Sequence, residues 1–213
     1  TGQHQTLAVV ERTLGVPSSD QRATERPLMA AALLVPDDLC LMQRQAGAYH
    51  LTAACVCSPS YWRLAEKIGR TLDGIHESVP TLNGKLAAPM IQFFDRLPQD
   101  AVFERRNWLI HVDDDRFQPR PEAWPELSAA DAPQLVVRSE RQTLRRLDEA
   151  TIVFTIRVSC HPLANIVACP EAAADLLRAF ATMDTAERAA TGYTHYGEVV
   201  SEFLRATLAK CNA

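Results

Sequence analysis

"QLVVRSERQTLRRL" (residues 134–147), followed two residues later by "ATIVFTIRVSC" (150–160), reads as two strands in succession. The second is nearly all apolar or β-branched, which marks a central strand. The first alternates. Arg138, Glu140 and Gln142 share a face with Leu144, while Ser139, Arg141, Thr143 and Arg145 take the other. Such a strand is either a solvated edge or an arginine-bearing strand whose donors hold anions. Arg157 lies inside the apolar strand, where a charge is costly unless paired. A structural ion pair with Glu140 or Asp148 and a cofactor role both remain open for it.

Outward from this pair, "RRNWLIHV" (105–112) reads as a further strand, with His111 on the face of Leu109. "MAAALLVPDDLCLMQ" (29–43) reads as strand, turn, strand, with Pro36, Asp37 and Asp38 as turn residues. "AYHLTAACVC" (48–57) gives another strand after the break at Gly47. A helix is expected from "SPSYW", with Ser58 as N-cap and Pro59 in the first turn. It carries Trp62, Ala65, Ile68, Leu72, Ile75 and His76 inward. A second helix through "LNGKLAAPMIQFFDRL" (82–97) shows Leu82, Leu86, Phe93 and Leu97 on one face, with Pro89 as an internal break. A proline-rich loop fills 113–127, and helices are expected near 171–182 and 196–210. Strands and helices in runs, without strict alternation, indicate an α+β fold: a largely antiparallel sheet flanked by helices, with C-terminal helices. Residues 1–27 are expected to be a short N-terminal extension to a domain spanning 28–213.

The 213 residues suit one domain, with 47% apolar and 23% charged residues. A net charge of -4 argues against nonspecific nucleic-acid binding. No apolar run reaches the roughly 18–20 residues that span a bilayer, and no signal peptide is evident, so the expectation is no membrane partner. The six cysteines lack a C-x-x-C pair and are expected to be buried, reduced thiols of a cytoplasmic protein. There is no G-x-S-x-G elbow, P-loop or G-x-G-x-x-G fingerprint.

His76 closes an apolar stripe, four residues after Leu72 and eight after Ile68, just before Pro80. One reading is a histidine satisfied by a backbone carbonyl at a helix end. The other is an axial metal or haem ligand, since a neutral imidazole on an apolar face is what a proximal ligand requires. No neighbouring spacing supplies a multidentate metal site.

Taken in order, "PSYWRLAEKIGRTLDGIHESVP", "LNGKLAAPMIQFFDRL", "RRNW", "RSERQTLRRL" and "IVFTIRVSCHPL" resemble the haem-dependent oxidative N-demethylase family over roughly residues 28–210. The resemblance implies a PAS-like fold with haem b in the cleft between helices and sheet. It implies a small amine substrate, dioxygen, and a separate flavin or iron–sulfur electron donor, with formaldehyde as product. By position, His76 is the proximal iron ligand it implies, with His111 as the alternative. Arg141 and Arg157, then Glu140 and Gln142, are the implied catalytic contacts, and Arg138, Arg106 and Trp108 would complete the cofactor site. The chain departs from the family pattern at Thr81, at Asp148-Glu149 and at Cys160-His161, which bears on the substrate. A tailoring oxygenase with a different substrate, or a PAS-type haem sensor, are the rival functions on the same scaffold.

Overall fold

A computed structural model describes residues 27–76, 80–118 and 123–211, without the side chains of 80–87. Its elements are α1 (Pro27–Ala32), β1 (Asp37–Gln45), β2 (Ala48–Cys55), α2 (Leu64–Lys67), α3 (Leu72–Ile75), α4 (Pro80–Arg96), β3 (Val102–His111), β4 (Val136–Arg146), β5 (Thr151–Pro162), α5 (Pro170–Thr182), α6 (Thr185–Thr191) and α7 (Tyr193–Cys211), with two 3₁₀ turns. The five strands form one antiparallel sheet in the order β2-β1-β5-β4-β3. The fold is α+β, as expected, and β5 is indeed central. No helix among the described residues is long and apolar enough to cross a membrane.

Two tight turns set the strand order. Ala46 and Gly47 both have positive φ, 48° and 88°, which is the backbone a two-residue hairpin requires between β1 and β2. Between β4 and β5, the Asp148 carboxylate accepts from the backbone N–H groups of Ala150 and Thr151 at 2.8 and 2.7 Å. The paired registers then sort every side chain by parity. Phe103, Arg105, Asn107 and Leu109 of β3 share one face with Arg138, Glu140, Gln142 and Leu144 of β4 and with Phe154, Ile156 and Val158 of β5. α3 and the end of α4 cover this face over Cys40, Met42, Leu51, Leu144 and Ile152, with Leu72, Phe94 and Leu97 buried against them. The opposite face carries Trp108 and Ile110 under α5 and α7, whose Phe180, Tyr196, Val200 and Leu204 close a second core.

Several sequence expectations are corrected. Residues 27–32 are helix rather than strand: "PLMAAA" has proline at its start and three alanines of high helix propensity. Asp37 and Asp38 open β1 instead of forming a turn. The single helix expected from Ser58 is instead a loop and two short helices. Tyr61 adopts φ 61° and Gly69 φ 79°, and each breaks the helical path. Ile68 is therefore exposed, and Lys67 is buried in its place, its Nζ donating to the Ile75 carbonyl at 2.6 Å. On α4, Phe93 is exposed while Phe94 is buried; Leu82 and Leu86 lie outside the described side chains. α6 was not expected, although Asp184 and Glu187 form a reciprocal capping box at its start. Of the thiols only Cys40 is fully buried, and burial pushes it up to about 12; all six are free. Most of the expected N-terminal extension, and the weak helix expected around 5–14, lie outside the described residues.

Arg146, buried at the end of β4, holds the C-terminal end of α4. Its Nε donates to the Leu97 carbonyl at 2.7 Å, and Nη2 donates to the Phe94 carbonyl and to Tyr49 Oη. These carbonyls lie at the helix end, where regular intrahelical donors run out; that of Phe94 also accepts from Leu97 N and Tyr49 Oη, both at 3.4 Å. Arg146→Met is expected to cost about 1–3 kcal/mol in urea unfolding, the desolvation penalty of stranded acceptors. An unchanged midpoint would show that water replaces the guanidinium.

Candidate functional site

The buried face of β4 carries an unbroken polar chain. The Arg138 guanidinium is fully buried and its Nε donates to Glu140 Oε1 at 3.2 Å. Glu140 Oε2 accepts from Gln142 Nε2 at 2.9 Å, and Gln142 Oε1 accepts from Arg105 Nε at 2.6 Å. The chain thus runs from the interior at Arg138 to the exposed rim at Arg105. At the inner end Arg138 also donates to the carbonyls of Arg116 (3.2 Å) and Ser58. Asp38, buried beside it, accepts from the N–H groups of Cys57 (2.7 Å) and Ser58. Burial raises the Asp38 carboxyl above its ordinary value against the pull of those donors. Arg138 and Asp38 therefore pin the 57–60 loop to the sheet.

At the rim stands His76, the C-cap of α3, partly buried. Its Nδ1 lies 2.8 Å from the Leu72 carbonyl. A carbonyl only accepts, so Nδ1 carries the proton and Nε2 keeps its lone pair. Burial lowers the His76 pKa; the Leu72 carbonyl opposes this, and the charges of Arg105 and Lys67 add to it. A neutral imidazole with its second nitrogen held by the backbone is the arrangement of a metal-ligating histidine. Both sequence readings of His76 are thus compatible: the carbonyl bond fixes the tautomer a ligand needs.

His111 sits at the other end of this face. It is 1% exposed, bonded through Nε2 to Ser60 Oγ at 3.0 Å, and stacked on Tyr61 at 4.5 Å. Burial and the nearby Arg138 push its pKa down to about 3. Among the described residues the buried Tyr61 hydroxyl finds no hydrogen-bond partner. With Nε2 occupied and the ring packed, His111 reads as a core residue.

The remaining predicted residues lie across the sheet. Arg141 and Arg106 share Glu104, at 2.7 and 3.2 Å. Arg157 is exposed and pairs with Asp37 at 2.7 Å, not with Glu140 or Asp148. The expectation of a buried Arg157 fails because α5 and α7 cover only one end of that face. Trp108 packs edge-on against Phe180 in the second core. The structure therefore brings His76, Gln142, Glu140 and Arg138 onto one face and places Arg141, Arg157, Arg106 and Trp108 on the other. The sequence offers Arg105 in "RRNW" beside Arg106 and Trp108, which were preferred to it, and Asp38 was read only as a turn residue. Strand parity carried the signal for Arg105, since Trp108 facing a core turns Arg105 and His111 the opposite way. A separate cleft of about 430 Å³, lined by Val112, Asp113, Asp114, Cys160 and His161 among others, lies at the far end of the sheet from His76.

The donor set fits a haem. Among the described residues no group of three or more His, Cys, Asp or Glu could hold a bare metal ion. His76 offers one neutral nitrogen beside the half-buried Ile75 and Met90, and a porphyrin brings its own four nitrogens. Fold and site together define an α+β domain with a lone ligand-type imidazole over a polar-floored sheet. The chain belongs to the family described as haem-dependent oxidative N-demethylase, alpha subunit-like, whose model matches residues 3–201. No curated protein matches the chain.

Proposed function

We propose that this protein is a haem-dependent oxygenase that oxidises the N-methyl group of a small amine, with His76 as the residue that would hold the iron of haem b. The observation that carries this reading is the His76 tautomer, fixed by the Leu72 carbonyl with Nε2 left as a lone pair. Family membership supports the chemistry, and the sheet order with three helices inserted between β2 and β3 supports a PAS-like domain.

Haem, when bound, would supply the activation of dioxygen. The protein's own residues do the rest. His76 presents Nε2 and keeps its proton on Nδ1. Leu72, Ile75 and Phe154 make an apolar wall that limits water. Gln142 and Glu140 orient Arg105 at the rim, where its charge favours anionic groups. The family's alpha-subunit description supports a companion subunit, and a separate flavin or iron–sulfur protein is our choice of electron donor. Free thiols suit a reducing, cytoplasmic setting.

The test is haem titration of the wild type beside His76→Ala, read as the Soret band. The wild type should take up one haem with a histidine-type spectrum. The variant should lose that spectrum, keep its far-UV circular dichroism, and regain the band on addition of imidazole. A wild-type spectrum indifferent to the substitution would sink the ligand assignment. Turnover with dimethylamine and a reductant should then release formaldehyde; oxygen retained in the product would point to a tailoring reaction.

A further inference from the structure

Arg105 stands out among the arginines of the sheet. On the open face, Arg106 and Arg141 share the one carboxylate of Glu104, Arg157 pairs with Asp37, and Arg145 is exposed with no partner among the described residues to orient it. On the buried face, Arg138 is consumed by Glu140 and two carbonyls, and Arg146 by backbone carbonyls and Tyr49. Arg105 makes one bond, from Nε to Gln142 Oε1 at 2.6 Å. Among the described residues no acceptor meets its two terminal nitrogens and no carboxylate pairs with it. The single bond does not leave it loose. Gln142 is buried and is itself held by Glu140, so the guanidinium is fixed through Nε while its two terminal nitrogens stay open. The helix that ends on His76 packs over Leu144, the next inward residue of β4 after Gln142, so the guanidinium and the imidazole stand over neighbouring parts of one face. A planar, oriented, unpaired fork beside the ligand-type imidazole matches the geometry of a carboxylate.

We infer that Arg105 is the carboxylate-anchoring residue of the His76 site, taking two oxygens of a bound carboxylate on its terminal N–H groups. This inference rests on the haem reading above. Two ligands bring a carboxylate there: a haem propionate, or an amine substrate that is an N-methyl amino acid. Both use the planar fork, which Lys at this position would replace with a point charge.

The experiment compares wild type, Arg105→Gln and Arg105→Lys in two arms. In the first, haem b and its dimethyl ester are titrated into the apoprotein. A propionate contact predicts that the wild type binds haem more tightly than the ester by about tenfold or more, while R105Q binds both alike. In the second, N-methylglycine and N-methylethylamine are titrated into the haem-loaded proteins and read as perturbation of the Soret band. A substrate carboxylate predicts that R105Q weakens N-methylglycine by about tenfold or more and leaves N-methylethylamine unchanged. In whichever arm responds, R105K should fall between the two. Arg105 is exposed and makes a single side-chain hydrogen bond among the described residues, so R105Q should fold; matching thermal unfolding checks this. If the wild type binds haem and R105Q behaves like it in both arms, the inference is overturned and the haem reading stands. If the wild type takes up no haem, the haem reading falls and takes this one with it.

Discussion

Arg138→Met is expected to lower the unfolding free energy by about 3–5 kcal/mol, measured by urea denaturation. The side chain is fully buried, so none of its partners can turn to water without rearrangement. Removing it strands Glu140, whose carboxylate is nearly buried and would keep only the Gln142 donor. It also frees the carbonyls of Arg116 and Ser58, which lie on two loops that Arg138 holds against each other. Those loops are otherwise joined by backbone bonds from Gln118 N to Pro59 O (3.1 Å) and from Tyr61 N to Gln118 O (2.6 Å). Arg138→Lys should rescue little, because an ammonium cannot span three acceptors in one plane. The double variant R138M/E140L should recover much of the loss, since the stranded charge is then gone. A single R138M variant within 1 kcal/mol of wild type would show that water enters this end of the sheet and satisfies Glu140.

The contrast between Arg138 and Arg157 shows where the sequence was legible. The period of two along β4 was readable whatever the strand's position in the sheet, and parity alone placed Arg138, Glu140 and Gln142 together with Leu144. Arg157 looked buried because its neighbours in β5 are apolar. Yet apolar composition reports the strand's central position, not whether a helix covers both of its faces. Residues 58–76 misled for a different reason. Their apolar spacing is helical, but Tyr61 and Gly69 take positive φ, and Lys67 finds a carbonyl inside the turn they create. Neither a left-handed tyrosine nor a buried lysine has a signature in the pattern. The place of His76 at a helix end was legible from Leu72 and Pro80, although Ile68 does not share its face. The open fork of Arg105 was not legible, because it depends on what the neighbours lack: Glu104 turns to the other face and serves two other arginines.

Stability is expected to fall as pH drops from about 6.5 to about 4.5, with His111 as the main cause. Its folded pKa of about 3 lies far below the ordinary 6.5. Between those values the unfolded chain binds a proton that the folded chain refuses. Unfolding therefore takes up protons, and stability rises with pH across this window and is lost on acidification. One such group costs about 1.4 kcal/mol per pH unit below 6.5. His76, lowered by its own burial, acts in the same direction. Asp38 acts oppositely: its raised pKa means the folded state holds that proton more tightly, which offsets part of the loss at the acid end. Urea midpoints measured at pH 7.0 and at lower pH, for wild type and His111→Gln, separate the contributions. The amide of glutamine can still meet Ser60 but does not titrate. The variant should be less stable at neutral pH, where the stacking on Tyr61 is lost, and should show a slope shallower by about one proton across the window. Equal slopes would mean that His111 is protonated in the folded state, and the Ser60 contact would then have to be an Nε2–H donor to Oγ beside the Arg138 charge.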